Sequence, residues 1–414
     1  MPSKIHSGVI VAHLFMGMTA GMVLAEPLEF ADLDPPVGNN AQEPTLFALQ
    51  DDRVLLGWTE PHPDGFAVKL SVLENAEWSA ARTVTVSDEL FVNWADFPSV
   101  VALDDGTFAA HWLWENSKND YAYDVKISLS PDEGLTWSAP ITPHDDRSVS
   151  QHGFVTLQPL EDGSLMSVWL DGRAYDKPLF TSAASNYPDA MQLRATRITP
   201  EGTRTDDVLV DAQTCSCCQT SAASLDDGTV LVAYRDRTDA EIRDISVVRH
   251  QGGMWSEPTN VHNDGWEISG CPVNGPAIAT AGQTAAVAWF TAANDKPEVK
   301  VAFSSDGGRN FGDPAKVSLG IPAGRVDILM LDPQTAFVTW VEWANESEVI
   351  LACQITTGQQ CKDLQLIARN NGAGSVNFPR TARTNEGVYL SWTQPSNSDD
   401  PEPSSTIRTV FASY

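Results

Sequence analysis

Seven times along the chain, a polar turn, often Asp-Gly, leads into an apolar strand that ends in an aromatic residue. The copies are "DDRVLLGW" to Trp58, "DDGTFAAHW" to Trp112, "EDGSLMSVW" to Trp169 and "DDGTVLVAY" to Tyr234, then "AGQTAAVAW" to Trp289, "DPQTAFVTW" to Trp340 and "NEGVYLSW" to Trp392. From Trp58 to Trp392 the mean step is about 56 residues, a period typical of repeat folds. Within each step, short alternating strands follow one another and helical periodicity is almost absent. The second unit parses into four strands, "FPSVVAL", "TFAAHWLW", "DVKISLS" and "TWSAPI". Four-stranded units repeated radially close into a β-propeller, which leaves no long exposed edge. The sequence therefore predicts an all-β propeller of seven blades, with six as the alternative count. The seven aromatics are expected to pack between blades. The last unit ends after its third strand, "STIRTVFASY", and the early segment "PLEFADL" is expected to supply the fourth.

The compartment is read from the N-terminus. Lys4 and His6 precede the apolar run "GVIVAHLFMGMTAGMVLA", which ends in Val23-Leu24-Ala25 before Glu26. Residues 1–25 read as a secretory signal peptide and 26–414 as a single exported domain, periplasmic or secreted, where disulfides can form. No second long apolar stretch follows, so no membrane span is expected after cleavage. A net charge of −29 excludes nucleic acid and anionic lipid as partners. Hydrophobic content of 42% with thirteen tryptophans excludes disorder.

Two turns between third and fourth strands carry a motif. "SPDEGLTW", Ser130 to Trp137, and "SSDGGRNF", Ser304 to Phe311, resemble the Asp-boxes, Ser-x-Asp-x-Gly-x-Thr-Trp, of the sialidase and BNR-repeat superfamily. The boxes are structural: their Asp and Ser side chains can bond turn backbone while the aromatic packs between strands. The resemblance implies a sialidase-like propeller over the mature chain, but a fold does not fix a function. Sialidases of this superfamily have six blades and begin with an Arg-Ile-Pro-like motif that supplies the first of three carboxylate-gripping arginines. The first strand here, "PTLFALQ", has no arginine.

A propeller has two faces. The Asp-boxes fall on one, and the blade-to-blade and second-to-third loops fall on the other. The second face collects most of the chemically unusual residues, and loops on a rigid scaffold are where function concentrates. "LFVNWADFP" brings Trp94 and Asp96, and "DDRSVSQHGF" brings His152. "HNDGWEISGCPVNGP" brings His262, Cys271 and Asn274; "IPAGRVD" brings Arg325 and "NNGAGSVNFPR" brings Arg380. Arg173 comes from "LDGR", and Arg235, Asp236, Arg237 and Arg243 from "YRDRTDAEIRD".

Of six cysteines, Cys353 and Cys361 flank a turn in "ACQITTGQQC" and read as a cross-strand disulfide. Cys215, Cys217 and Cys218 in "DAQTCSCCQTS" share the face with Cys271. Adjacent Cys217 and Cys218 would need to reach different partners if both were oxidised. Three readings stand: a pair of disulfides, a redox thiol centre, or thiolate ligands for a soft metal, copper or zinc, with His262 as a further donor.

Two functional classes follow. In the first the protein is a binding or metal-handling module whose Cys-rich face takes a small-molecule, glycan or metal ligand, with Trp94, His152, Arg173, Arg237 and Asn274 lining it. In the second, which the resemblance implies, it is an exo-sialidase-type glycoside hydrolase acting on an acidic sugar. Arg235, Arg325 and Arg380 would then grip the carboxylate while Asp96 or Asp236 acts as acid or base.

Overall fold

The computed structural model describes residues 28–118, 121–174, 190–370, 372, 374–397 and 404–413. The proposed leader, 1–25, lies outside them. Seven antiparallel sheets are arranged as a seven-bladed propeller. The only helical element among the described residues is a 3-10 turn at Ala293–Asp295.

The innermost strands, in blade order, are Gln42–Ala48, Ser99–Ala102, His152–Pro159, Ser221–Ser224, Ala277–Ala281, Ile321–Asp332 and Arg380–Arg383. Each pairs outward with the second strand that carries the repeat aromatic. In blade two the fourth position is held by a single bridge between Ile127 and Ile141. Blade seven is completed from the other end of the chain. Ala31 and Asp32 pair with Phe411 and Val410, so the ring closes by hydrogen bonds between the first and last strands.

The core is a ring of layers between blades, not one central mass. Blades five and six share a cluster including Ala286, Ile328 and Trp340, and the other interfaces repeat this arrangement. The seven repeat aromatics are all buried, from Trp169 and Trp340 at 0% exposure to Trp392 at 3%. Their position is set by strand alternation: every second residue faces the next blade. Four of the indoles also bond the side chain two residues on, which lies on the same side of the strand. Trp58 donates to Glu60, Trp169 to Asp171 and Trp340 to Glu342, each at 2.8 Å, and Trp392 to Gln394 at 3.0 Å. Two of those carboxylates go on to accept from incoming blade-to-blade loops, Glu60 from the Gly38 amide and Glu342 from the amides of Leu319 and Gly320. The repeat pattern thus encodes both the apolar layer and the anchor of the loop beside it.

The two Ser-x-Asp-x-Gly turns close on themselves. Asp132 accepts from the Thr136 amide at 2.8 Å and hydroxyl at 2.7 Å, and Ser130 accepts from the Gly134 amide at 2.7 Å. Asp306 and Ser304 make the matching bonds to Asn310 and Gly308. They face away from the loops that carry the unusual residues.

Candidate functional site

The heads of the innermost strands form the mouth of the axis, and three of them are built alike. In blades one, three and six the strand register shifts at a two-residue bulge led by Glu43, Phe154 and Arg325. All three have left-handed backbone, with φ of 59°, 53° and 54°. A non-glycine residue in this region costs on the order of 1–3 kcal/mol and persists only where its surroundings hold it. Here the hold comes from the neighbouring blade. The Glu43 amide donates to Thr393 Oγ1 at 2.9 Å, the Phe154 amide to Asp96 Oδ1 at 2.7 Å and the Arg325 amide to Asn274 Oδ1 at 2.7 Å. Two of the bulges follow a glycine whose missing side chain makes room for the clamp. A Cβ on Gly153 would lie 2.0 Å from Asp96 Oδ2, and one on Gly324 2.1 Å from Asn274 Oδ1.

This assigns Asp96 and Asn274, read from sequence as catalytic and ligand-binding, to holding the mouth in shape. Asp96 also accepts from the Tyr123 hydroxyl at 3.1 Å. Burial pushes its carboxyl up to about 7 against those two bonds. Asn274 further donates to the carbonyls of Pro272 and Ala323.

Glu43, in "QEPTLF", was not singled out from sequence. It is 3% exposed, and neither carboxyl oxygen has a hydrogen-bond partner. Burial first, and the charge of Asp96 second, push it up to about 8. The shift favours the protonated acid at neutral pH. The signal was present: aligning the strand heads "QEPTLF", "HGFVT" and "AGRVD" places Glu43 level with Phe154 and Arg325.

The same face carries a cluster of aromatic rings and two cations. Trp94, 42% exposed, stacks on Phe378 with ring centres 5.9 Å apart, and Phe378 lies 5.7 Å from Phe97. The Arg325 guanidinium sits 5.4 Å above Trp94, and that of Arg380 4.9 Å above Phe97. Arg325 is ion-paired to Glu348 at 2.7 Å. Burial lowers the basicity of Arg380, Asp327 opposes that effect, and its Nε has no hydrogen-bond partner.

The expected arginine triad is not assembled as a free cluster. Arg235 is 2% exposed and spends its guanidinium on backbone, donating to the carbonyls of Asn274 at 2.9 Å, Arg243 at 2.6 Å and Phe290 at 2.7 Å. It is an internal staple over the Trp266 ring and cannot grip a ligand. Asp236 accepts from the Arg237 amide and the Ser246 hydroxyl; burial and the charge of Asp211 raise it to about 6. Arg237 bonds Glu241 at 2.6 Å.

His152 and Arg173 are also committed inside the protein. The buried His152 faces the Tyr123 carbonyl through Nδ1 and Asp146 through Nε2, and stacks on His144 with centres 3.9 Å apart. Arg173 bridges Asp171 and Asp207. His144, Asp124 and Asp171, which complete this buried cluster, were missed because they come from separate strands and loops.

The four clustered cysteines divide into two pairs. Cys217 is disulfide-bonded to Cys271, tying the loop before blade four to the loop before blade five, so a four-thiolate ligand set is not what the fold presents. Cys353 and Cys361 form the second disulfide. Cys215 and Cys218 are free and buried, with sulfurs 3.0 Å apart, and Cys217 Sγ is 4.0 Å from Cys215 Sγ. Burial pushes the Cys215 thiol up; the Cys218 bond and the charges of Arg243 and Arg235 outweigh it and bring it to about 6. His262 is not at this cluster but bonds Asp264 at 2.9 Å.

No protein-family model and no curated protein matches the chain. Solved structures do. A Dyadobacter fermentans protein of unknown function superposes with a TM-score of 0.52 at 13% identity, over 94% of this chain and 99% of that one. An α-L-arabinofuranosidase from Fusarium graminearum gives 0.51 at 12%, over 78% and 97%. A Hadza microbial sialidase gives 0.47 at 14% over 73% of this chain, which spans 63% of that protein's length. At these identities the likeness is one of fold, and the propeller is what this chain shares with them.

Proposed function

We propose that the axis mouth is a glycan site and that Glu43 is its proton donor. One observation carries the reading: a buried carboxyl with both oxygens unpartnered, on a strained backbone that the next blade holds in place, where burial pushes it up to about 8. Perturbed acids concentrate at functional sites, and a carboxylic acid kept neutral near pH 7 is the group that protonates a leaving glycosidic oxygen. Asp96 is the second carboxyl within electrostatic reach. Trp94 offers an exposed ring as a platform for a sugar face. The structural likeness to an α-L-arabinofuranosidase accords with a carbohydrate ligand.

The site favours a neutral sugar over an acidic one. Arg325 already has Glu348, Arg380 has Asp327 and Arg235 is locked into backbone. A net charge of −29 also repels an anionic substrate. The two disulfides support an exported, oxidising setting; among the described residues no helix is long and apolar enough to cross a membrane.

The test is a panel of aryl glycosides, neutral pentosides and hexosides beside a sialoside, assayed with wild type and Glu43→Gln. A neutral glycoside should be cleaved, and the substitution should lower kcat by roughly 10²–10⁴ with little change in KM. Full activity in Glu43→Gln would remove Glu43 from the chemistry. No cleavage and no glycan binding by wild type would end the reading.

A further inference from the structure

The glycan reading makes no use of the four cysteines on this face. They are arranged in depth. Cys215 and Cys218, three positions apart in one loop, are free and buried, with sulfurs 3.0 Å from each other. Cys217 stands between them in sequence, and its sulfur is 4.0 Å from Cys215 Sγ. Its disulfide partner Cys271 lies in the loop before blade five and is exposed. The sulfurs thus run from a buried dithiol, through Cys217, to the surface. Arg243 lies alongside them: its Nη1 is 3.6 Å from Cys215 Sγ and donates to the carbonyl of Gly270, next to Cys271, at 2.7 Å. A guanidinium beside a thiol favours the thiolate, the form that attacks a disulfide. Bonds other than the disulfide hold the two loops in register. Gln219 accepts from the Gly275 amide at 3.1 Å and donates to the Ala95 carbonyl at 2.6 Å, so the loops stay together while the sulfurs exchange partners.

We infer that these four residues form a thiol–disulfide relay, in which the buried pair supplies two electrons to a substrate disulfide that meets the protein at Cys271. In the first step Cys215 attacks Cys217 Sγ: the Cys215–Cys217 bond forms, the Cys217–Cys271 bond breaks and Cys271 leaves. In the second, Cys218 attacks Cys215 Sγ: the Cys215–Cys218 bond forms and Cys217 is released. Cys215 and Cys218 give up two protons, and Cys217 and Cys271 take up two, so this internal exchange needs no outside oxidant. Cys271 then attacks the substrate disulfide, and one half of it leaves as a thiol. Cys217 attacks the mixed disulfide at Cys271, restores the Cys217–Cys271 bond and releases the other half. The net result is one substrate disulfide reduced to two thiols and one dithiol, Cys215 with Cys218, oxidised to a disulfide. An exported setting is one in which such substrate disulfides occur.

The experiment uses the full mature protein, purified without reductant. Quenched in acid, unfolded and alkylated, it should show free thiols at Cys215 and Cys218 and disulfides Cys217–Cys271 and Cys353–Cys361 by peptide mass mapping. The folded protein is then held with a maleimide, which traps thiols and oxidises nothing. The relay should drain to the surface, leaving labels on Cys217 and Cys271 and a new Cys215–Cys218 disulfide. Cys218→Ser should stop halfway, with Cys215 and Cys217 linked and Cys271 alone labelled; if that variant does not fold, the wild-type map decides by itself. Unlabelled wild type offered oxidised glutathione or insulin should reduce one of them, which identifies the carrier of the substrate disulfide. The inference is overturned if the starting protein has no free thiol, if the label falls on Cys215 or Cys218 in the folded wild type, if none of the four cysteines is labelled, or if neither disulfide is reduced. None of these outcomes bears on Glu43, so the glycan reading stands or falls separately.

Discussion

Glu43 should make the protein less stable as pH rises, and Glu43→Gln should remove that effect. The carboxyl goes from about 4.5 in the unfolded chain to about 8 in the folded one. Below 4.5 both states carry the proton and nothing is lost. Between 4.5 and 8 the unfolded chain ionises while the folded one cannot, so stability falls by about 1.4 kcal/mol per pH unit. Above 8 both ionise and the loss is complete. At pH 7 the accumulated penalty is about 3 kcal/mol, and at its limit about 5 kcal/mol. Glutamine keeps the shape without the ionisation. Denaturant unfolding of wild type and Glu43→Gln at half-unit steps from pH 4.5 to 9 should therefore show a gap that widens in favour of the variant and levels off near pH 8. Asp96, also raised, is coupled to Glu43 through its charge, so the comparison is repeated in an Asp96→Asn background to isolate the Glu43 contribution. The same ionisation should end glycoside cleavage on the alkaline side of pH 8. A gap that stays constant across the range would show that Glu43 is ionised or solvated in the folded state, and the proton-donor argument would fail with it.

Three further outcomes are expected. His144 is buried against His152; burial, then the charge of that ring, lowers it to about 4, so it contributes stability that is present above pH 6.5 and lost as pH falls toward 4. His144→Gln should flatten the acid limb of the wild-type stability curve between those values, and equal limbs would refute the assignment. Trp340→Ala, which opens a cavity between blades five and six and leaves Glu342 without its indole donor, should cost about 3–5 kcal/mol by chemical denaturation. Truncation through residue 33 removes the strand pairing Ala31 and Asp32 with blade seven, and should expose that edge and yield oligomers by light scattering; a monomer with an unchanged melting temperature would mean that the closure is dispensable.

The blade count, the closure and the buried aromatics could all be read in the sequence, because they rest on strand periodicity and turn chemistry repeated seven times. Local rules repeated in register leave few alternatives. The Cys353–Cys361 pairing was legible for the same reason, since its two residues flank one turn. The site was legible only as a face. Arg235, Asp96 and Asn274 lie on it, yet each turns to a neighbouring blade: Arg235 to the Phe290 carbonyl, Asp96 to the Phe154 amide, Asn274 to the Arg325 amide. Their partners are 55, 58 and 51 residues away, about one blade, and no local pattern states which of two adjacent blades a side chain will bond. Glu43 shows the converse. In sequence it is one acid among 55 acidic residues, and only its placement between blades removes water and every hydrogen-bond partner from its carboxyl. Composition and period determined that this chain closes into a ring of seven; desolvation and contact between blades, which exist only once the ring is closed, decided which residues on its face are structural and which keep their chemistry.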